Sequence, residues 1–523
     1  MGENSSRALI SPKMRGKLGA LREFMSKTSS AIIAAAGLMI CLFSWTLSSP
    51  LGSSPDENFH IGSIWCAEGE QAERCEYVDY APGDSIKRVS VPHVMDVCFI
   101  FYSEKSADCR DDPNSVKPEL LANISGYPEL FYRTLNIFVS DHTQVSGLSM
   151  RLFNSMIATF LFFMAAILSP PRIRNSGIIA FSATLIPLAI FLIPSLNPSS
   201  WAYLGLVFGW MFQLNATLSG ENSSKRFSLR TVLNFVLFLL CTAIAMGSRW
   251  DAMLFAVVSM FATYLIAKAM GDGSVNKAST LGVGAVGLLG LALLFNQYQP
   301  STNPGEGVFS GSGYVPSTAE WDELNRNIYN IVRLIELPAG TLGVEWGIGW
   351  LDTQLPSIVG LIATSVYAFF FFVSVPYARK INYVITLGLF SFIASLLFYY
   401  FWGASYIVSE VVQPRYILPL VPLILGLSLV SSKFVSPFNE FLRARINLIA
   451  GLLTLSHSVS LWTNLRRYTM GLEVDQGYDL ANPIEWWWRW APSPNLVFLV
   501  GSLEFGVFIF TSLRISASVK PMI

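Results

Sequence analysis

Long apolar runs dominate this sequence and limit the folds that it can adopt. Each run is close to the roughly 20 residues that an α-helix needs to cross a bilayer. The sequence therefore predicts an all-α integral membrane protein with about twelve transmembrane helices. The predicted spans are 31–47, 152–169, 177–195, 201–218, 229–247, 252–270, 279–296, 355–376, 382–402, 415–431, 446–462 and 495–513.

The composition agrees with a membrane protein. Hydrophobic residues make up 52% of the 523 residues and charged residues only 13%, whereas a soluble globular protein usually carries about 25% charged residues. The formal net charge is zero. Nothing in the charge balance therefore argues for a nucleic acid as a partner.

The basic residues indicate on which side of the membrane each loop lies. Residues 1–29 are rich in Arg and Lys, which places the N-terminus in the cytoplasm. With twelve spans, Arg172, Arg174, Arg379 and Lys380 all fall in inner loops, as the positive-inside rule requires. The C-terminus is then cytoplasmic as well. A cleaved signal peptide is the alternative for the first apolar run, but no clear cleavage site follows it.

The long polar loops all fall outside in this topology, so we expect the protein to work at its outer face. The first loop has mixed apolar character and is predicted to form a small ordered subdomain. The predicted segments are a cytoplasmic basic tail (1–29), the first transmembrane helix (30–48), an extracytoplasmic loop or subdomain (49–148), helices 2 to 7 (149–296), an extracytoplasmic loop (297–354), helices 8 to 11 (355–462), an extracytoplasmic loop (463–494) and the last helix with a cytoplasmic tail (495–523).

Four of the six cysteines lie in the first outer loop, where an oxidising compartment would allow two disulfides. Cys41 and Cys241 lie in apolar runs and are predicted to be core residues. The simplest of the three arrangements in the loop pairs Cys66 with Cys75 and Cys98 with Cys109.

The stretch Ser54-Pro55-Asp56-Glu57 directly follows the first predicted span and has two interpretations. As a helix start, Ser54 is the N-cap, Pro55 occupies N1 and Glu57 at N3 completes a capping box. As a catalytic site, Asp56 or Glu57 could act as a general base toward a hydroxyl group at the outer membrane surface. His60 lies on the same helix face, at i+4 and i+3, and is predicted to bind substrate. A divalent cation could bind here, but no further ligand cluster accompanies these residues.

Two arginines fall at the predicted outer ends of spans. Arg249 lies in the turn between the fifth and sixth spans and could bind a lipid phosphate through two hydrogen bonds; an ion pair with Asp251 is the alternative. Arg415 and Tyr416 open the tenth span, so the guanidinium either stays at the interface or meets an anionic partner such as Glu410. We predict that Arg249, Arg415 and Tyr416 bind substrate.

The ends of the other two long outer loops carry tryptophans and an acid. Trp350 could stack on a sugar or anchor the chain in the aromatic belt of the membrane interface. Asp352 could bind a sugar hydroxyl or cap the eighth span. Residues 486–490 contain four tryptophans around an arginine. They are predicted to form an interfacial helix or belt, or else a wall for a lipid chain or a glycan acceptor.

Four short elements together resemble the motifs of a bacterial family of polytopic membrane proteins of unknown function. The family patterns are P-D-E-x-x-H, hpPlyY, GWLDT followed by Pro, and QgRYflP. Glu129 stands where the second pattern has a proline, and Pro414 where the fourth has a small residue. The order and spacing match over most of the chain. The corresponding elements are Pro55-Asp56-Glu57 with His60, Tyr127-Pro128-Glu129-Leu130-Phe131-Tyr132, Gly349-Trp350-Leu351-Asp352-Thr353 with Pro356, and Gln413-Pro414-Arg415-Tyr416 with Leu418-Pro419.

That family is in turn similar to the GT-C glycosyltransferases, which use polyprenyl-phosphate sugars at the outer face. The resemblance implies a GT-C-like fold in which the first outer loop carries the acidic catalytic residue, Asp56 or Glu57. It also implies that Arg415 handles the lipid phosphate, and it says less about Arg249. The four loop cysteines correspond to no general feature of the family.

We therefore expect an inverting glycosyltransferase of a bacterial plasma membrane, which moves a sugar from a polyprenyl-phosphate donor to a cell-envelope glycan or lipid acceptor. Two other classes stay open. A transporter or flippase of envelope precursors would place key polar groups near the bilayer midplane on broken helices, whereas the notable charges here lie at outer span ends. A non-catalytic assembly protein with a GT-C-like fold is the third class. A lipid-sized cavity with an arginine beside Asp56 would favour the enzyme.

Overall fold

The structure is a computed structural model of the chain. The residues that it describes are 12–68, 76–78, 87–90, 98–107, 120–122, 127–218, 228–270, 275–297, 321–402, 407–408, 412–430, 437–473, 477–481, 486–488 and 490–517.

Helices make up most of the described residues, and three short strands accompany them. The elements are α1 (Pro12–Leu47), α2 (Glu57–Trp65), β1 (Glu76–Val78), β2 (Lys87–Ser90), β3 (Leu120–Ala122), α3 (Glu129–Asn136), α4 (Thr143–Leu168), α5 (Pro171–Thr184), α6 (Leu188–Leu192), α7 (Ser199–Leu218), α8 (Leu229–Met246), α9 (Trp250–Met270), α10 (Lys277–Gln297), α11 (Glu323–Arg333), α12 (Glu336–Thr341), α13 (Ser357–Ser374), α14 (Lys380–Trp402), α15 (Pro414–Ile417), α16 (Leu420–Leu429), α17 (Pro437–Thr469) and α18 (Pro494–Ala517).

Nine helices in the described part of the chain are long and apolar enough to cross a membrane. Each of them coincides with one of the predicted spans, so the chain is a multi-pass membrane protein. The stretches that meet both criteria are Thr28–Leu47, Thr143–Leu168, Leu229–Met246, Trp250–Met270, Lys277–Phe295, Ser357–Ser374, Lys380–Phe398, Arg443–Thr469 and Pro494–Ala517.

The other three predicted spans, 177–195, 201–218 and 415–431, lie in helices that are interrupted or less apolar. α5 and α6 share the first of these stretches, and α15 and α16 share the third. α7 covers the second and is buried from Ser199 to Thr217. Because protein surrounds α7, this helix can carry polar side chains that lipid would disfavour. The total of twelve spans stays a prediction.

The segment 49–148, predicted to form the first outer loop with an ordered subdomain, contains the described strands. They form an antiparallel sheet in the order β1-β2-β3, with Tyr77 opposite Val89 and Arg88 opposite Leu121. The sheet is flanked in sequence by α2 and α3. Pairing of the strands gives hydrogen-bond partners to backbone N–H and C=O groups in a segment that has no long apolar run.

Several helices extend beyond the apolar runs that predict them. α4 begins at Thr143, before the predicted loop end at residue 148, and α17 continues to Thr469, beyond the predicted span end at residue 462. The apolar run marks the part of a helix that suits the hydrocarbon core, whereas the polar turns at either end stay helical in the interface. The N-terminal end of α4 and the C-terminal end of α17 consequently supply residues to the candidate site.

The free thiols among the described cysteines are Cys41 and Cys241, and both are buried as predicted. Cys66 and Cys98 are not among the free thiols, and Cys75 and Cys109 lie outside the described residues. The pairing of Cys66 with Cys75 and of Cys98 with Cys109 stays a prediction.

Close packing of α1 against α18 and α4 fixes the helix from which the site loop emerges. A Cβ atom on Gly37 of α1 would lie 2.9 Å from the Glu504 carbonyl oxygen of α18. His457 of α17 accepts a hydrogen bond at Nε2 from Trp45 Nε1 at 2.9 Å. α1 is therefore held by direct contacts with both α17 and α18.

Candidate functional site

Asp56 lies in the turn between α1 and α2, with its backbone in the left-handed region at φ 57° and ψ 15°. This conformation costs a non-glycine residue roughly 1–3 kcal/mol and is concentrated at functional sites. Asp56 is the N-cap of α2, yet its side chain makes no capping hydrogen bond. The side chain is 41% exposed and meets Arg415. Its carboxylate is therefore accessible to a ligand.

The predicted capping box forms only in part, because the helix begins later than predicted. Asp56, and not Ser54, is the N-cap of α2. The Ser54 hydroxyl has no hydrogen-bond partner among the described residues. Glu57 nevertheless reaches back, and its Oε2 accepts from the Ser54 backbone N at 3.1 Å. Glu57 thus performs one of the two tasks of a capping box, from the first residue of the helix.

Arg415, at the start of α15, is the direct partner of Asp56. Its Nη2 donates to the Asp56 carboxylate, and its Nη1 donates to the Pro55 carbonyl oxygen at 2.9 Å. The Arg415 side chain is only 3% exposed. Glu410, the partner considered from sequence, lies outside the described residues. The first and fourth sequence elements therefore meet through an ion pair.

Arg249 approaches the same place from the turn between α8 and α9. Its Nε and Nη2 each donate to Asp251 at 2.8 Å, which is the turn pair considered from sequence, and its Nη1 donates to Ser199 Oγ at 3.2 Å. The Arg249 guanidinium lies 4.7 Å from the centroid of the Tyr416 ring, and the Arg415 guanidinium lies 5.1 Å from it. Tyr416 is a shared cation–π partner that keeps the two cations together.

The two arginines determine the charge state of Asp56. Burial of the carboxyl group by itself raises its pKa, but the charge of Arg415, with a smaller effect of Arg249, lowers the pKa below its ordinary value. Asp56 is therefore an anion at neutral pH, facing two cations. An acceptor hydroxyl or an anionic ligand at this point would meet all three charges.

His60 lies one helical turn beyond Asp56 and is neutral. Its side chain is 1% exposed, and burial, with the charge of Arg415 adding to it, lowers the pKa of His60 to about 3 even though Asp56 favours the charged form. His60 Nδ1 lies 2.9 Å from the Tyr132 hydroxyl, and the Tyr127 ring packs edge-on at 5.3 Å between centroids. The second sequence element, 127–132, is thereby joined to the first.

Glu57 has surroundings opposite to those of Asp56. Its side chain is 0% exposed, and Arg151 of α4 donates to both of its oxygens at 3.0 Å. Backbone N–H groups of Gly52, Ser54 and Leu196 donate to it at 3.0, 3.1 and 2.9 Å. Five hydrogen bonds occupy the acceptor sites of this carboxylate. Glu57 therefore anchors the turn, whereas Asp56 carries the accessible carboxylate.

Trp350 and Asp352 belong to a tight turn that contacts the loop carrying Asp56. The turn is closed by hydrogen bonds between Ile348 and Thr353 at 3.1 and 3.3 Å. Trp350 Nε1 donates to the Gly52 carbonyl oxygen at 2.8 Å, so the indole is tied to the loop that carries Asp56. Binding of sugar by Trp350 and Asp352 stays a prediction.

Asp352 is nearly buried, with 7% of its side chain exposed, and Arg467 of α17 donates to its Oδ2 at 2.9 Å. Arg467 is fully buried and also donates to the carbonyl oxygens of Phe99, at 2.7 Å, and Lys105. One guanidinium thus joins the third sequence element to residues 98–107 of the first outer loop.

The described part of the tryptophan-rich stretch is not helical at Trp486, Trp487 and Trp488. Trp488 is buried, and its Nε1 donates to the Leu47 carbonyl oxygen at the end of α1 at 2.9 Å. Arg489 lies outside the described residues. A role as a wall for a lipid or a glycan stays a prediction.

Two arginines that local sequence pattern does not single out, Arg151 and Arg467, also organise the site. Arg151 directly precedes the predicted span 152–169 and Arg467 follows the predicted span 446–462, where a lone basic residue suggests only a snorkelling side chain. Each is instead buried against a carboxylate from a distant part of the chain. A signal for Arg151 was present, since an arginine at the edge of an apolar run needs an anionic partner.

The described residues contain no group of three His, Cys, Asp or Glu side chains that could hold a metal ion. At Asp56 the neighbouring groups are Arg415 and, through Tyr416, Arg249. The charges that accompany Asp56 are cationic and suit an anionic ligand.

Comparison with known proteins gives one family match. A model described as "Predicted membrane protein (DUF2142)" matches residues 39–424 of the chain. No curated protein matches it. The matched range includes Asp56, Arg249, Trp350 and Arg415 and covers more than half of the 523 residues. The chain therefore belongs to the DUF2142 family of predicted membrane proteins.

Proposed function

We propose that this protein is an inverting membrane glycosyltransferase with a GT-C-like fold. The donor is a sugar on polyprenyl phosphate, and the acceptor is a hydroxyl of a cell-envelope glycan or lipid at the outer face of a bacterial plasma membrane. The observation that carries the proposal is the half-exposed carboxylate of Asp56 beside two buried guanidiniums, Arg415 and Arg249. A base and a phosphate-binding group are the two components that this transfer needs.

In the proposed reaction, Asp56 removes the proton from the acceptor hydroxyl as its oxygen attacks the anomeric carbon. The new C–O bond forms on the face opposite the leaving group, and the bond from the anomeric carbon to the phosphate oxygen breaks. The phosphate keeps the electron pair, and the proton stays on Asp56. Arg415, assisted by Arg249, stabilises the negative charge that develops on the phosphate.

The ion pair between Asp56 and Arg415 provides a reason for donor binding to precede proton transfer. In the free protein Arg415 lowers the pKa of Asp56 and so weakens it as a base. A donor phosphate that takes over Arg415 removes this counter-charge, so the pKa of Asp56 rises toward the working pH. Arg415 Nε has no hydrogen-bond partner among the described residues and is a further donor for that phosphate.

The remaining parts of the proposal concern substrate positioning. His60 offers a neutral imidazole beside Asp56, and Trp350 and Asp352 shape the acceptor side. The outer loops 297–354 and 463–494 form the acceptor groove, and disulfides of the four loop cysteines keep the first outer loop folded. We propose no metal cofactor, because Asp56 and the arginines provide the base and the charge stabilisation themselves.

The test is transfer by the purified protein in liposomes, with radiolabelled polyprenyl-phosphate sugars as donors and envelope glycans as acceptors. Asp56→Asn should lower the rate by about 10²–10⁴-fold, the usual contribution of a general base. Glu104→Gln is the matched control, since Glu104 is an exposed acid of the same outer loop, and it should keep the wild-type rate.

Full activity of both Asp56→Asn and Glu57→Gln would refute the assignment of the base. If the wild-type chain transfers no sugar from any polyprenyl donor but moves labelled lipid between leaflets, it is a flippase. If it does neither, the non-catalytic assembly role is the better description.

A further inference from the structure

Helix α11 carries an apolar face that points away from the rest of the protein. Leu324, Ile328, Ile331 and Val332 recur at the spacing of one helix face, and Ile335 continues it. These side chains are exposed, with Leu324 at 69% and Val332 at 70%. The face runs along the whole helix, so it is a continuous surface and not a single protruding side chain.

Two asparagine side chains of α11 are buried instead. Asn327 is 5% exposed and Asn330 is 2% exposed. Asn330 Oδ1 accepts a hydrogen bond at 2.8 Å from the backbone N of Val408, shortly before α15. The normal arrangement of a water-facing helix is therefore reversed, with amides inside and aliphatic groups outside. Such a face in water would leave several aliphatic side chains unburied, each worth about 1.5–3 kcal/mol.

The length of α11 excludes a transmembrane position. Its 11 residues span about 16 Å at 1.5 Å per residue, which is roughly half of the hydrocarbon core of a bilayer. A short helix that has one apolar face and several charged residues suits the membrane interface, with the helix axis in the membrane plane.

The surroundings of α11 also fit a position at the membrane. α11 packs against α14, which is one of the candidate spans. α11 meets this span near its C-terminal end, because Asn330 contacts Val408, which follows Trp402 in the chain. At the beginning of α11, Trp321 is 42% exposed, and tryptophan is enriched at membrane interfaces.

We propose that α11 lies flat in the membrane interface, with the face formed by Leu324, Ile328, Ile331, Val332 and Ile335 inserted into the lipid. The occupant of this face is the bilayer itself, on the side of the membrane that carries Asp56. α12 follows α11 and packs on α15, where a Cβ on Gly340 would lie 2.6 Å from Pro414. The inserted helix thus connects to Arg415 through one short element. This inference is independent of the glycosyltransferase proposal.

The test is depth-dependent fluorescence quenching on the full chain in liposomes that contain doxyl-labelled lipids. The fluorophore NBD is attached to Ile328→Cys, Val332→Cys and, as the control, Glu323→Cys. Glu323 is exposed and precedes Val332 by nine residues, which places it on the opposite face at 3.6 residues per turn. The unsubstituted chain is the blank and measures any labelling of the six native cysteines, of which Cys41 and Cys241 are buried.

Insertion predicts quenching at positions 328 and 332 that exceeds quenching at position 323 by about twofold or more. Equal, weak quenching at all three positions would show that the face meets water and would overturn the inference. Failure of Ile328→Cys and Val332→Cys to react with the fluorophore before reconstitution, while Glu323→Cys reacts, would show a face covered by protein and would overturn it as well.

Discussion

Arg151 Nη2 lies 3.0 Å from both carboxylate oxygens of Glu57, and the two side chains are only 2% and 0% exposed. Arg151 also donates to the carbonyl oxygens of Thr46, Ser49 and Pro50 at 3.2, 2.7 and 2.9 Å. The pair therefore clamps the end of α1 to the start of α2. Asp56, between these two helices, is placed by a fully buried ion pair.

Glu57→Gln should destabilise the protein, because it leaves the Arg151 charge buried without its anion. Removal of one partner of a buried pair costs about 3–5 kcal/mol. Thermal unfolding in detergent measures the loss. Adding Arg151→Met to Glu57→Gln should recover part of it. A Glu57→Gln protein with wild-type stability would show that the pair holds nothing in place.

Stability should fall as the solution is acidified, and His60 should cause part of the loss. The pKa of His60 is about 3 in the folded protein and 6.5 ordinarily. Between these pH values, His60 therefore binds a proton in the unfolded state but not in the folded state. The contribution of His60 to the free energy of unfolding is therefore fully present above about pH 6.5. It is lost as the pH falls toward about 3, by up to about 1.4 kcal/mol per pH unit.

His60→Gln should flatten this slope in thermal unfolding measured between about pH 7 and pH 5, the range in which only the unfolded histidine titrates. His142→Gln is the control, since His142 is exposed at the start of α4. An unchanged slope in His60→Gln would contradict the assignment of a neutral, buried His60.

Arg467→Met should release residues 98–107 from α17. Arg467 donates to Phe99 and Lys105 as well as to Asp352, so its loss removes three contacts between distant segments. Hydrogen exchange at residues 98–107 should accelerate by at least about tenfold. Arg466→Met is the matched control, because the neighbouring arginine donates to Gly477 instead. Equal exchange in both variants would argue against this anchor.

Trp350→Phe should separate a positioning role from a stacking role. The substitution keeps an aromatic ring but removes the Nε1 donor to Gly52, which should cost about 1 kcal/mol of stability. If Trp350 only stacks on a sugar, the acceptor KM should change little and stability should be unaffected. A lower thermal unfolding temperature with a lower kcat would instead support positioning of the Asp56 loop.

The structure agrees with the local sequence pattern for some of the predicted site residues and differs from it for Glu57. Asp56, Arg249, Arg415 and Tyr416 meet as expected for residues at one membrane depth. Glu57, adjacent to Asp56 in the chain, has the opposite environment. A pattern of neighbours cannot separate the two acids, because the partners that distinguish them lie 94 residues away for Glu57 and 359 residues away for Asp56.

The sequence by itself determined that this is a multi-pass helical membrane protein, because a bilayer imposes length and apolarity on every lipid-facing helix. Where helices are surrounded by protein, as α7 is, this constraint is relaxed, and the apolar runs no longer define a span with the same clarity. Only the tertiary structure decided that Asp56 is the accessible carboxylate and Glu57 the buried one. That decision depends on which guanidinium and which backbone N–H groups surround each acid, and these contacts exist only after distant segments have packed together.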